Sequence, residues 1–198
     1  MMRSIVLGLV GWMISTLMCF SQTQEPIYES IEAAQIASEN GLQIMRLDLS
    51  REKLVNVPEE IKGYKDLIEL RLDKNRIAEI PDWIAELSHL EIFSAERNKL
   101  EEFPQAILTL KNLRLVYLGD NLIPGIPINI DNLEGLEWLG LWSNMIRRFP
   151  ASLGDIPTLR TLDLLHNDMT YPEQTWLREL LPNVVIELSE PCNCAFDE

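Results

Sequence analysis

The sequence has a strict 23-residue period, and this period constrains the fold more than any single motif does. Asparagine and proline both recur at this interval, and an apolar pattern restarts with them. The asparagines are Asn75, Asn98, Asn121, Asn144 and Asn167, and the prolines are Pro58, Pro81, Pro104, Pro127 and Pro150. The units start at Ile44, Leu67, Leu90, Leu113, Leu136 and Leu159. Such a period indicates stacked units, each of which buries its apolar side against its neighbours.

Each part of the unit has a predicted structural task. Leu70 and Leu72 are two residues apart, so in a strand they share one face, and we expect that face to be buried. The asparagine amide is expected to bond the buried backbone of its own turn and of the next turn. The proline then ends the strand and fixes φ for a turn into a short convex segment. There Ile84 and Leu87 are expected to close the core from the convex side.

These motifs resemble the leucine-rich repeat family, whose signature is L-x-x-L-x-L-x-x-N-x-L. The second half of the unit, Ile80 to Leu87, is similar to the 23-residue subclass of Ras-suppressor-type proteins. Similar repeats also occur in exported bacterial proteins. The resemblance covers residues 44–181 as six repeats. It implies an α/β solenoid, a curved right-handed coil with a parallel β-sheet on its concave face and short helical or irregular convex segments. It also implies a scaffold that binds many unrelated partners, so the fold alone names no partner.

The segments on either side of the repeats are predicted to cap the solenoid. Residues 22–43 should form an N-terminal capping segment with a short helix from Ser30 to Ser38, because serine is a favoured N-cap and Asn40-Gly41 is a C-cap signal. The apolar residues expected to cover the open end of the core are Ile27, Ile31 and Ala34.

Residues 182–198 are predicted to form a C-terminal capping strand and an acidic tail. The final proline comes one residue early, at Pro172, and a helical stretch from Glu173 to Leu181 is expected after it. The strand itself should run from Val184 to Leu188. In the first repeat, Glu52 replaces the asparagine, because that repeat has no preceding turn to bond.

The first residues are typical of a secretory signal peptide. A basic start that includes Arg3 is followed by sixteen uncharged residues, Ile5 to Phe20, and small residues precede a cleavage point after Ser21. The sequence therefore predicts a signal peptide over residues 1–21 and a secreted, periplasmic or cell-surface protein. A retained anchor is disfavoured because a bilayer span needs about 20 apolar residues. Lipidation at Cys19 is a minority alternative, and a cytoplasmic scaffold is the alternative if the leader is not a signal.

Charge and cysteine content limit the partners. The net charge of −14 repels phosphate backbones and anionic membranes, so nucleic acid and membrane insertion after signal cleavage are not expected. Three cysteines are too few for a disulfide framework, so the fold must rest on packing. Cys192 and Cys194 form a Cys-x-Cys pair, which allows a strained disulfide, a thiol site or a link to another chain. The pattern favours a short clip within the tail, or no function, over a thiol site or a link to another chain.

The residues that face outward from the sheet can be counted from the repeat. They are the second, fourth, sixth and seventh residues after the start of each unit, charged in the first two units and apolar or aromatic in the central ones. Trp138 and Trp142 should stand about 13 Å apart as two walls, with Gly140 as the floor between them and Gly119 leaving further room. The predicted ligand-binding residues are Ile92, Glu96, Arg97, Leu115, Tyr117, Asp120, Trp138, Trp142, Asp163 and His166.

The sequence predicts recognition without catalysis. Asp163 and His166 come from one strand, but no serine or cysteine is placed to complete a triad, and no Gly-rich phosphate loop or His-x-x-x-His zinc pair occurs. No cofactor or metal is expected. An apolar aromatic patch inside a charged rim is typical of an interaction surface, so a protein or peptide is the predicted ligand. The alternatives are carbohydrate stacking on Trp138 and Trp142, or tryptophans that pack on one another and shield the strand backbone.

Overall fold

The computed structural model describes residues 25–192, which form one open, parallel sheet of eight strands that follow one another in chain order. The strands are β1 (Ile27–Tyr28), β2 (Arg46–Asp48), β3 (Glu69–Arg71), β4 (Ile92–Ser94), β5 (Leu115–Tyr117), β6 (Trp138–Gly140), β7 (Thr161–Asp163) and β8 (Val185–Glu187). Strands β2 to β7 each come from one repeat. The predicted α/β solenoid with a parallel sheet is confirmed.

The register of the sheet follows the period of the sequence. Residues 23 apart face each other, as Ile92 faces Leu115 and Leu115 faces Trp138. The middle residue of each strand from β2 to β7 is fully buried in the core, so the residues on either side of it lie on the opposite, outward face of the sheet. We call the surface formed by those outward residues the solvent face of the sheet.

One continuous core lies behind the sheet. Each repeat contributes leucine and isoleucine side chains with almost no exposed area; in the second repeat Leu70, Leu72, Ile84 and Leu87 are all fully buried. Full burial of one such side chain stabilises the fold by roughly 1.5–3 kcal/mol before entropy is counted. The leucines predicted to point inward therefore do so, and the repeats depend on one another for burial.

Short 3-10 helices form the side opposite the sheet. They span Glu59–Gly63, Asp82–Glu86, Gln105–Thr109, Ile130–Asn132 and Ala151–Asp155. The repeated proline directly precedes four of them, as expected from its fixed φ. Pro127 is the exception, because its helix begins only after Asn129. None of the helices between residues 25 and 192 is long and apolar enough to cross a membrane.

The repeated asparagines link each repeat to the one before it. The Asn121 amide nitrogen donates to Leu118 O in its own repeat and to Ala95 O in the preceding one, both at 3.0 Å. Its oxygen accepts from the Leu100 N–H, which also belongs to the preceding repeat, at 3.0 Å. The prediction of a bond to the next turn is wrong, because the amide points toward the N-terminal neighbour. Asn75, Asn98, Asn144 and Asn167 repeat this pattern.

The N-terminal segment contains helix α1 (Ile31–Glu39), whose N-cap Ser30 accepts a hydrogen bond from Ala33 N at 3.1 Å. The sequence did not predict strand β1, which pairs with β2 at the edge of the sheet. Ala34 is fully buried and Ile31 packs against the core. The prediction for Ile27 is wrong: its side chain is 43% exposed because the residue belongs to the edge strand.

The C-terminal helix α2 (Tyr171–Leu180) starts two residues earlier than expected. The Thr170 N–H and hydroxyl both donate to Glu173 Oε2, at 2.7 and 2.8 Å, which fixes the start of the helix. Pro172 therefore lies in the first turn, where a missing N–H costs no intrahelical bond. Cys19 and Cys194 lie outside the described residues, so the predictions about the leader and about a Cys192–Cys194 pair remain predictions.

Candidate functional site

A charged triplet, Arg46, Glu69 and Arg71, lies on strands β2 and β3 at the start of the solvent face. Glu69 is almost completely buried between two arginines: Arg46 Nε lies 2.7 Å from Glu69 Oε2, and Arg71 Nε donates to Oε1. Burial opposes ionisation of Glu69, but the hydrogen bonds and charges of Arg71 and Arg46 outweigh it and lower its pKa. The triplet is therefore a fixed ionic cluster at one end of the face.

The Trp142 side chain extends across the preceding repeat and reaches the repeat before that one. Its indole N–H donates a 2.8 Å hydrogen bond to Glu96 Oε1, and between these two residues lies Gly119. A Cβ added at Gly119 would fall 2.0 Å from Trp142 Nε1, so the ring occupies the space a side chain would need. The Arg97 guanidinium lies over the ring, 5.6 Å from its centroid. The expectation that Gly119 leaves open room is therefore wrong.

Trp138 also lies over a glycine. A Cβ at Gly140 would be 3.2 Å from Trp138 Nε1, and the indole packs beside Tyr117 with ring centroids 6.1 Å apart. The predicted arrangement of two tryptophan walls around an open Gly140 is therefore wrong, because the indole covers that glycine. Trp138 Nε1 is buried and has no hydrogen-bond acceptor among the described residues.

An apolar row crosses the central strands. Ile92, Leu115 and Trp138 face one another in register on β4, β5 and β6, and each is partly exposed. Neighbouring strands lie about 4.8 Å apart, so these side chains form a continuous strip. Thr161 and then Val185, which is 61% exposed, extend the row onto β7 and β8. The 23-residue period does not predict that Val185 lies in this row, because β8 lies outside the repeats.

The Glu96 carboxylate has a raised pKa on this surface. Burial raises its pKa, and the negative charges of Asp73 and Asp163 add to that rise. The hydrogen bond from Trp142 and the charge of Arg97 act in the opposite direction without cancelling it. Asp73 is itself engaged, since its Oδ1 accepts from Ser94 Oγ at 2.6 Å and from Glu96 N at 2.8 Å. This part of the face is a hydrogen-bonded network with a carboxylate that takes up a proton more readily than usual.

The remaining predicted residues lie at the ends of the strands. Arg97, Asp120 and His166 are exposed and adopt positive φ, and Arg97 Nε is 3.8 Å from Asp120 Oδ2. Asp163 is only 9% exposed and accepts a 3.0 Å hydrogen bond from Leu165 N, so it supports the turn more than it offers a free charge. Within residues 25–192, no group of three or more His, Cys, Asp or Glu side chains is placed to hold a metal ion.

The stacked strands, buried leucines and asparagine ladder define a repeat protein of the solenoid class. The sequence model described as a leucine-rich repeat region matches residues 32–189, and the chain belongs to the leucine-rich repeat family. The family prediction is therefore confirmed. A search of curated protein sequences finds no match.

Solved structures of several repeat proteins are similar to this chain. A leucine-rich repeat protein from Leptospira interrogans is 25% identical over 85% of this chain and 49% of its own, with a TM-score of 0.68. Internalin C2 from Listeria monocytogenes is 24% identical over 74% of this chain and 62% of its own, with a TM-score of 0.60. The plant peptide hormone receptor RGFR1 in complex with RGF2 is 26% identical over 68% of this chain and 23% of its own, with a TM-score of 0.55. The chain thus spans less than two thirds of the length of each of these structures.

Proposed function

We propose that this chain is a non-catalytic module that recognises a protein or peptide through the solvent face of its sheet. The observation that carries the proposal is the apolar row Ile92, Leu115 and Trp138, which is partly exposed and in register across three strands. Tyr117 packs beside it, and the Arg46–Glu69–Arg71 triplet bounds it on one side. Apolar and aromatic anchors within a polar rim are the usual composition of a binding hot spot.

Trp142 has a supporting role in this proposal. One side of its ring rests on Gly119, the Arg97 guanidinium lies over the ring, and its N–H is already bonded to Glu96. A sugar ring needs a free aromatic face for stacking, so this geometry weakens the carbohydrate alternative. Glu96, Arg97 and Asp120 would then select partners by charge rather than anchor them.

The similar structures are consistent with a protein ligand. The plant receptor is in complex with a peptide, which we take as support for peptide recognition by a related repeat array. We also propose that the repeats are of the 23-residue Ras-suppressor type, on the strength of the Ile80–Leu87 half of the unit.

A peptide-display selection on the purified chain tests the proposal. Ligands recovered from it should lose at least tenfold in affinity when Trp138 or Leu115 is changed to alanine, which corresponds to about 1.4 kcal/mol. Trp176→Ala is the matched control, because it removes an exposed indole on helix α2 outside the sheet. Circular dichroism checks that each variant is folded. Unchanged affinity in both Trp138→Ala and Leu115→Ala would contradict the proposal.

We further propose that the module works outside the cytoplasm, with residues 1–21 removed as a signal peptide. The proposal rests on the basic start, the uncharged stretch Ile5 to Phe20 and the small residues before Gln22. Cap, repeats and C-terminal segment would then occupy residues 22–43, 44–181 and 182–198. Intact mass and cell fractionation test this: a full-length chain in the cytoplasm would make it a cytoplasmic scaffold, and an acylated Cys19 would make it a lipoprotein.

A further inference from the structure

Six exposed cations lie in two short rows at the carboxyl ends of strands β2, β3 and β4. The first row contains the seventh residue after the start of each of the first three repeats, and the second row contains the ninth residue after the start. The rows are Arg51, Lys74 and Arg97, and Lys53, Arg76 and Lys99; all six side chains are exposed. They make up about a third of the 17 Lys and Arg residues of a chain whose net charge is −14. We call these six residues the basic rows.

The basic rows differ from most of the other cations in having almost no ionic partners. Elsewhere on the chain, six Lys and Arg side chains each lie within 4.0 Å of a glutamate: Arg46, Lys62, Lys65, Arg71, Lys111 and Arg114. Among the basic rows, an ion pair within residues 25–192 is formed by Arg97 alone, with Asp120 at 3.8 Å. Glu52, Asp73 and Glu96 adjoin the basic rows in sequence and reduce the positive charge there. Six cations against these three carboxylates still leave the three turns with a positive excess.

The backbone holds both rows in place. In the first row, Arg51 N donates to Asp73 O, Lys74 N to Glu96 O, and Arg97 N to Gly119 O, at 2.8–2.9 Å. In the second row, Arg76 N donates to Leu54 O and Lys99 N to Ile77 O, at 2.8 and 2.9 Å. The side chains of neighbouring repeats therefore start about 4.8 Å apart. A ligand that meets them does not have to order the backbone first.

The second row continues as an apolar surface. Leu122 and Met145 are the ninth residues after the start of the next two repeats and are 48% and 55% exposed. Their N–H groups continue the same backbone ladder, with bonds to Leu100 O and Ile123 O. The second row of in-register side chains thus changes from cationic to apolar along the solenoid. Exposed leucine and methionine next to cations match a ligand with both acidic and apolar groups better than a uniformly charged one.

We propose that the basic rows and the adjoining Leu122 and Met145 form a second docking surface, for an extended peptide segment of a partner protein. The acidic residues of that segment would lie over the first three repeats, and its apolar residues over the next two. This surface shares Arg97 with the proposed solvent-face site but uses none of its apolar row, so the inference goes beyond the proposed function. It also reverses the expectation from net charge, since an acidic chain here offers a local site for an anionic ligand.

The test uses a fluorescein-labelled peptide with four aspartates followed by three leucines, and a second peptide in which the same residues alternate. The full chain should bind the first peptide more tightly, with an affinity that falls as salt is raised. The variant K74N/R76Q/K99Q should lose at least tenfold. The control K65Q/K111Q/R178Q has the same net charge, removes exposed cations elsewhere, and should bind as the parent chain does.

Other outcomes would overturn the proposal in separate ways. The double variant Leu122→Ser/Met145→Ser should weaken binding of the peptide with four aspartates followed by three leucines. If its binding is unchanged and heparin competes as strongly as that peptide, the surface is a general polyanion site. If sedimentation shows a dimer that K74N/R76Q/K99Q converts to a monomer, the occupant is a second copy of the chain. Equal binding by all the variants also contradicts the inference. Trp138→Ala should leave this peptide bound, which separates the result from a failure of the solvent-face proposal.

Discussion

The indole N–H of Trp142 and the carboxylate of Glu96 form a 2.8 Å hydrogen bond although 46 residues separate them in the sequence. The bond spans the repeat between them, and Gly119 is the residue of that repeat that lets the indole pass. Tryptophan, glycine and glutamate at the same position of three consecutive repeats therefore act as one unit.

The substitution Gly119→Ala is expected to displace Trp142. The new Cβ would lie 2.0 Å from Trp142 Nε1, and the ring cannot share that space. The bond to Glu96 would be lost, and we expect the free energy of unfolding to fall by about 1–3 kcal/mol. Chemical denaturation measures the loss, and the indole N–H resonance of Trp142 should move toward the position of an exposed indole. Gly63→Ala is the control, because a Cβ there meets nothing within 4 Å.

The substitution Glu96→Gln should stabilise the chain at neutral pH more than at low pH. The pKa of Glu96 is raised above its ordinary value of 4.5, chiefly by burial, so the stabilising effect of protonation is present below that value and is lost as pH rises through the folded-state pKa. Glutamine can still accept the Trp142 bond but does not ionise. The difference in unfolding free energy, variant minus parent, should therefore increase with pH. A flat difference between pH 4 and pH 7 would contradict the raised pKa.

Glu69→Gln should show the opposite pH dependence. The pKa of Glu69 is lowered because Arg71 and Arg46 outweigh the effect of burial, so its stabilising contribution is present above the ordinary pKa and is lost as pH falls. The variant should be less stable than the parent at pH 7 by about 1.5–3 kcal/mol, the range for hydrogen bonds to charged groups. This deficit should shrink in acid. Urea unfolding of both variants over one pH series compares the two slopes directly.

Removal of one ladder asparagine should be costly. Asn121→Ala would leave the Leu100 N–H and the Ala95 and Leu118 carbonyl groups without their side-chain partner in a buried position. We expect a loss of about 3 kcal/mol in the free energy of unfolding. Asn112→Ala removes an asparagine that makes one exposed bond, to Ser88 O, and should change stability by about 0.5 kcal/mol or less. Similar losses in the two variants would mean that the ladder contributes little.

The repeat made much of this fold predictable. Because the period fixes both strand and register, it correctly predicted that Ile92, Leu115 and Trp138 would share one face. It did not predict how far each side chain leans, because an indole beside a glycine can turn over it, as Trp138 and Trp142 both do. Strand β1 has only two residues and no repeat, so no periodic signal marks it.

The sequence predicts only the first of the basic rows to face outward. The predicted outward positions end at the seventh residue after the start of each repeat, so they include Arg51, Lys74 and Arg97 but not the second row. The 23-residue spacing of Lys53, Arg76 and Lys99 is nevertheless as regular as that of the asparagines. The net charge does not reveal this spacing, because the totals of 31 acidic and 17 basic residues say nothing about where the charges lie.

The asparagine ladder runs in one direction, and this gives the two ends of the array different fraying behaviour. Each loop is completed by an amide from the repeat that follows it, as the Ile123 N–H is by Asn144. Detachment of a repeat from the N-terminal side leaves every remaining loop with the asparagine that already completed it, and removes only the partners of one asparagine side chain, as Asn98 would lose Ile77 N and Leu72 O. Detachment from the C-terminal side opens the loop of the repeat before it. Local unfolding that starts at the C-terminal side should therefore propagate more readily, and amide hydrogen exchange should fall off unevenly along the solenoid.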